Sequence, residues 1–291
     1  GMFMRALVVI VSVVNIVSLM AVDYWVFWII NIFGVLLLAA FGFLQSQEFP
    51  KPKKFGIPLV VLVISVLLLF LPTPLKLPIP VVVSPSYGTS WQVTKSTLNV
   101  NTRQLLLGSG PGTYLYDYLA YKPAAVNASQ FWSMRFDRAK SSVMTTLASL
   151  GIIGTILWLG LMLWIGTKSL SRLLLEKDHE EWKMTYVMFV GWAILFISQF
   201  LYSSNFTMHF LLWAFTGLLA SQVVAKLWRT DFAKSPKLGL LTSFAFVLVG
   251  VGVLASLFIT GQRFTAEVAF AKAVRMDQSG AKSEDVVSEL K

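Results

Sequence analysis

The sequence predicts an all-α, polytopic transmembrane bundle of about seven spans with one large extracytoplasmic loop. Three observations carry this. The chain has 291 residues, 56% of them hydrophobic, with a mean hydropathy of +0.71. Only 13% are charged, against about 25% in soluble domains. Finally, seven stretches are apolar for the roughly 20 residues a helix needs to cross a hydrocarbon core, and Lys and Arg fall in alternate connections between them.

The spans are expected at 4–22, 25–44, 56–72, 146–166, 184–203, 206–226 and 239–260. The first follows a single Arg, is too long for a signal-peptide core and has no small-residue cleavage site after it. It therefore reads as a retained span. The opening "GMFMR" reads either as a tag residue before Met or as a piece of a longer protein. "VDYW" joins the first two spans and "YSSNF" the fifth and sixth, both without Lys or Arg. The basic connections hold Lys51, Lys53 and Lys54; Lys168, Arg172, Lys177 and Lys183; and Lys226, Arg229, Lys234 and Lys237. Seven spans put these three on one side and the two bare hairpins on the other. The N-terminus is then inside and the C-terminus outside.

The resulting organisation is three spans over 1–72, an extracytoplasmic loop over 73–145, spans over 146–261 and a polar tail over 262–291. The loop opens with "LPTPLKLPIPVVVSPS", whose repeated Pro favours extended chain. "YGTSWQVTKSTLNV" alternates enough to predict a short strand or hairpin. The tail reads as two short amphipathic helices broken at Ser279-Gly280. It is either the start of a helical repeat, which cannot bury its own face alone, or an amphipathic tail on the outer leaflet.

Composition excludes several chemistries. There is no Cys, hence no thiol nucleophile or Cys-bound metal, and two His are too few for a multi-His metal site. The net charge of +10 is sorted by membrane side and does not point to nucleic acid. Ionisable residues are nearly missing from the spans, which argues against an ion-coupled transporter or flippase.

The loop is where chemistry gathers. It holds Lys76, Lys95, Arg103, Lys122, Arg135, Arg138 and Lys140 against Asp117 and Asp137, a net charge of +5. "RFDRAK" lies directly before the fourth span, at the depth of lipid phosphates. Arg suits a phosphate or pyrophosphate because its planar fork grips two oxygens. The same residues also fit as snorkelling anchors to bulk lipid headgroups. The aromatics, among them Tyr114, Tyr118 and Trp132, fit sugar stacking and equally an interfacial belt. "GSGPGTY" looks like a phosphate-cradling turn but lacks the Lys and Ser/Thr of a P-loop. Gly108, Gly110 and Gly112 are expected to allow a tight turn with positive φ and close backbone approach.

"LLLGSGPGTYLYDYLAYKP", followed by "FWSMRFDRAKSSVMTTLASLGIIGTILWLGLML", resembles the O-antigen ligase and polymerase superfamily. That family carries "G-x-G-P-G-x-[FY]" in a large periplasmic loop and then "AHN-x-x-L-x-x-L-A-x-x-G-x-x-G" leading into a span. Gly108, Gly110, Pro111, Gly112 and Tyr114 match the first segment; Ala139, Leu147, Ala148, Gly151 and Gly154 match the second. The resemblance implies a glycosyltransferase of the bacterial cytoplasmic membrane, acting on its outer face. It implies an undecaprenyl-pyrophosphate-linked glycan as donor, a glycan or lipid acceptor, and neither a nucleotide sugar nor an essential metal or other cofactor. On this view Arg103, Arg135, Arg138 and Lys122 hold the pyrophosphate. Gly108, Gly110, Pro111, Gly112, Tyr114, Tyr118 and Trp132 shape the loop or meet the glycan.

Two departures bear on activity. Lys140 stands where the family has His, and Ser141 where it often has Asn. Lys140 and Asp137 are the candidate catalytic residues, although Asp137 is also placed to pair with Arg138 or Arg135. His209 lies at the outer end of the sixth span, either near the loop or as an interface residue, and His179 reads as a solvated cytoplasmic helix residue. The second departure is size: family members have ten or more spans. A non-catalytic relative that binds lipid-linked glycan or scaffolds the envelope is therefore the alternative expectation.

Overall fold

The computed structural model describes residues 2–44, 55–73, 75, 83–175, 179–223 and 236–279. Among them every regular element is a helix: α1 (Met2–Val22), α2 (Trp25–Leu44), α3 (Gly56–Phe70), α4 (Tyr87–Leu98), α5 (Thr102–Leu107), α6 (Tyr114–Tyr121), α7 (Ala124–Asn127), α8 (Ser142–Leu175), α9 (His179–Leu201), α10 (Phe206–Val223) and α11 (Pro236–Gln278). Five are long and apolar enough to cross a membrane: α2, α8, α9, α10 and α11. The apolar stretches Ala6–Val22 and Gly56–Phe70 are shorter. The chain thus has the helices of a membrane protein.

Residues 1–225 form one compact unit and 226–291 another. In the first, α9 is central and packs on α2, α8 and α10, while α3 joins α2 to α1. One face of α9 carries an aromatic ladder at helical spacing. Trp182 stacks on Tyr186 at 5.0 Å, and Trp192 on Phe196 at 5.1 Å. The polar ends of these rings are satisfied, as an apolar surround demands. Trp182 Nε1 donates to the Leu173 carbonyl (2.8 Å), Tyr186 to the Leu38 carbonyl (2.6 Å) and Trp192 Nε1 to Thr216 Oγ1 (3.1 Å). A polar thread binds the first three helices: Asn15 donates to Asn31 (3.1 Å), Asn31 to Ser65 (2.8 Å) and Ser65 to the Val61 carbonyl (2.7 Å). Such bonds hold helices together where burial of oil against oil gives no preference.

The turn between α1 and α2 closes on Asp23 in the left-handed region (φ 45°), its N–H bonded to the Leu19 carbonyl at 2.9 Å. A short polar residue tolerates that conformation at a helix end.

Three sequence expectations are corrected. The strand expected in "YGTSWQVTKSTLNV" is helix α4. Ser86 caps it by accepting from the Thr89 N–H (3.1 Å). Its buried residues are Ser90, Val93, Thr94, Thr97 and Leu98, a helical face made largely of hydroxyl side chains, which hydropathy does not register. The span expected at 146–166 is only the middle of α8, so Lys168 and Arg172 ride on a helix and not in a loop, with Arg172 paired to Glu181. The tail expected to be separate from 262 continues the preceding span as α11, 43 residues and about 65 Å long at 1.5 Å per residue. Gly261 costs an interior helix about 1 kcal/mol, too little to break it. Half of the Pro-rich loop opening, the basic connections at 45–54 and 224–235, and the tail after Ser279 lie outside the described residues.

Candidate functional site

Four separate segments meet at one end of the first unit: the α1–α2 turn, the loop helices α4–α6, the start of α8, and the α9–α10 turn. Ser142, the first residue of α8, donates its N–H to the Tyr202 carbonyl (3.1 Å), and its Oγ accepts the Ser204 N–H (2.8 Å). Tyr87 of α4 donates to the Leu201 carbonyl. The Tyr24 and Tyr202 rings meet edge-on at 6.2 Å. Both hairpins that lack Lys and Arg therefore gather at the loop end, as one-sidedness in the sequence requires.

The glycine loop is built against a break in α8. Gly151 leaves helical geometry (φ 65°, ψ −168°), which frees the carbonyls of the preceding turn. Ser109 N–H takes that of Ala148 (3.0 Å) and Gly110 N–H that of Ser149 (2.9 Å). Gly108 (φ 74°) lies face to face with Gly151: a Cβ on Gly151 would stand 2.5 Å from the Gly108 nitrogen and the Leu106 carbonyl group. Gly110 and Gly112 also have positive φ, at 122° and 76°. The expected tight turn and close approach are both present. The two sequence segments that carry the family resemblance are thus docked on one another. Since the N–H groups of Ser109 and Gly110 are committed to α8, this turn is a joint and not a phosphate cradle.

Asp117 locks the joint. It is buried, and Ser109 Oγ donates to its Oδ2 at 2.5 Å. Burial holds its carboxyl above the usual carboxylate range, partly offset by hydrogen bonds from Ser109 and Thr113. A carboxyl raised in the fold stabilises it most below the ordinary carboxylate pKa. That stability is lost as pH rises through the raised value. Asp117→Asn is therefore expected to remove this part of the pH dependence of unfolding, followed by denaturation between pH 4 and pH 7. An unchanged profile would place the titration elsewhere. Beside it, Tyr114 and Tyr118 are buried with Val93, Ala139 and Ala148, and burial raises both phenols. Tyr118 meets Phe136 edge-on at 5.1 Å.

A cleft of about 280 Å³ opens between the start of α8 and the α9–α10 turn, lined by Asp137, Arg138, Ser142, Thr145, Thr146, Ser203, Ser204, Phe206 and His209. Arg138 donates through Nε and Nη2 to the two oxygens of Asp137 (2.9 and 2.8 Å) and through Nη1 to the Ser204 carbonyl (3.4 Å). The Arg138 hydrogen bond pulls the Asp137 carboxyl below its ordinary range, and Asp137 raises the guanidinium in turn. The cleft can thus present an Arg fork, an imidazole and several hydroxyls to a polar ligand.

The remaining sequence candidates fall elsewhere. Lys140 Nζ donates to Ser84 (2.8 Å) and lies over the rings of Tyr24 (5.1 Å) and Tyr87 (5.9 Å), a cation–π latch between the loop and the first hairpin. It is not among the cleft-lining residues. Lys122 donates to the Trp132 carbonyl (2.9 Å), and Trp132 is exposed. Arg103 sits on α5; it, Arg135 and Pro111 are exposed and line no part of the cleft. Among the described loop cations, only Arg138 lines the cleft. Ser142, Thr145, Thr146, Ser203 and Ser204 belong to no motif; the one signal available was their density next to span ends expected on the same side. Comparison with known proteins finds no matching family model, curated protein or solved structure.

Proposed function

We propose that the chain is a membrane glycosyltransferase of the O-antigen ligase type, handling a lipid-pyrophosphate-linked glycan in the cleft at the outer end of the bundle. The observation that carries this reading is the meeting of Arg138 with His209 in a hydroxyl-lined cleft, beside a joint formed by the two family-like segments. Arg138 holds the pyrophosphate and stabilises the charge that grows on it. The acceptor oxygen bonds to the anomeric carbon as the bond from that carbon to the pyrophosphate oxygen breaks. The electron pair leaves with the pyrophosphate, and the acceptor proton passes to His209, the one imidazole among the lining residues. Seven spans, a cytoplasmic N-terminus and the bacterial inner membrane belong to the same reading.

A second reading, a binder of the same lipid-linked glycan without transfer, is favoured by the engagement of Asp137 and Lys140, the two catalytic candidates in the sequence. Asp137 is chelated by Arg138, and Lys140 is latched to Ser84. Turnover separates the two. With the chain in liposomes containing undecaprenyl-pyrophosphate glycan, the first reading expects release of undecaprenyl pyrophosphate. His209→Ala should slow it about a hundredfold, the lower range for losing a positioned base, with donor binding retained. No release above lipid alone would leave the binder.

A further inference from the structure

Resting on this donor-site reading, we infer that Asp137 is an internal anion that occupies the Arg138 fork and is displaced by an incoming phosphate or pyrophosphate group. The guanidinium edge that grips two oxygens is filled by Asp137 Oδ1 and Oδ2 at 2.9 and 2.8 Å, and its remaining nitrogen faces the Ser204 carbonyl. A carboxylate and a phosphate offer the same two-oxygen edge to such a fork, so the two compete for one position. With the pair closed, the charged lining residues Arg138 and Asp137 cancel, and the cleft has no net charge with which to hold an anion.

Exchange is feasible because the pair joins neighbouring residues at the surface, with side chains 46% and 66% exposed. Exposed pairs of this kind are weak. The incoming group also gains what Asp137 does not use. Thr146 and Ser203 also line the cleft, and their hydroxyls can donate to the further oxygens of a phosphate. The fork is thus occupied when no ligand is bound and is released by a ligand with more negative charge than one carboxylate.

The test is calorimetric titration of the full chain in nanodiscs with inorganic pyrophosphate. Asp137→Asn and Asp137→Ala are each expected to bind about two- to fivefold more tightly than wild type, the range an exposed ion pair spans. Against an Arg138→Ala background, Asp137→Asn should give no gain. Equal or weaker binding by both Asp137 variants, while Arg138→Ala still loses affinity, overturns the exchange and leaves the donor site standing. A gain that persists without Arg138 also overturns it, since the effect is then general repulsion. If wild type and Arg138→Ala bind alike, the donor-site reading itself falls. Repeating the titration with undecaprenyl pyrophosphate in the nanodisc identifies the source. A gain there as well assigns the site to lipid-linked phosphate, and a gain with the soluble ion alone assigns it to free phosphate; either result supports the exchange.

Discussion

Gly151→Ala is expected to cost the fold about 3 kcal/mol or more. Three terms point the same way. Gly151 has φ 65° and ψ −168°, a backbone region essentially confined to glycine that costs another residue about 1–3 kcal/mol. Its new Cβ would stand 2.5 Å from the Gly108 nitrogen, so the docked turn must withdraw. Withdrawal breaks the bonds from Ser109 and Gly110 to Ala148 and Ser149, each worth about 1 kcal/mol and more if the carbonyl is left buried and unpaired. Gly108→Ala meets the backbone of Ser149 from the other side and should cost a similar amount. Gly160→Ala is the internal control, since nothing lies within 4 Å of its added Cβ. It should be neutral or gain up to about 1 kcal/mol from helix propensity. Chemical denaturation of the three variants in detergent reads this directly. Equal midpoints for Gly151→Ala and Gly160→Ala would mean that the joint carries no load.

Much of this molecule was legible in its sequence, and what was not has definite causes. The spanning helices announce themselves because oily runs of that length have few other uses. The glycine turn was legible as a positive-φ approach, because the residues themselves allow little else. Its docking partner was not, since Gly151 reads as an ordinary helix residue until the α8 break is seen. Helix α4 was misread because its buried face is built from Ser90, Thr94 and Thr97, whose hydroxyls find backbone partners in the fold: Thr97 donates to the Val93 carbonyl (3.0 Å), Thr94 to the Met144 carbonyl (3.4 Å), and Ser90 accepts the Lys140 N–H (2.9 Å). Arg138 and His209 stand far apart in the chain, and long-range ties such as those of Ser142 and Arg138 to the Tyr202–Ser204 turn bring them together. Lys140 stands where the family that the sequence resembles has His, yet its latch to Tyr24 depends on contact between the loop and the first hairpin, which a single sequence does not display.

The largest effect on donor binding is expected from Arg138→Ala. A hydrogen bond to a charged group contributes about 1.5–3 kcal/mol, so losing the fork should weaken binding of a pyrophosphate donor by about ten- to a hundredfold. Arg138→Lys should recover part of this, because it restores the charge but not the paired geometry. Arg103→Ala and Arg135→Ala lie outside the cleft and should change affinity little. Any effect they have should fade as salt is raised past the range where exposed charges are screened. This ordering separates a site from a basic surface, because a surface would lose a similar increment with each cation removed.

The most direct measurement is the affinity of undecaprenyl-pyrophosphate glycan for the chain in nanodiscs of fixed anionic lipid content, wild type against Arg138→Ala. A loss of tenfold or more, with plain anionic lipid bound alike by both, is the predicted result. Equal donor affinity would make Arg138 a membrane anchor and contradict the cleft as the site where the lipid-linked glycan is held.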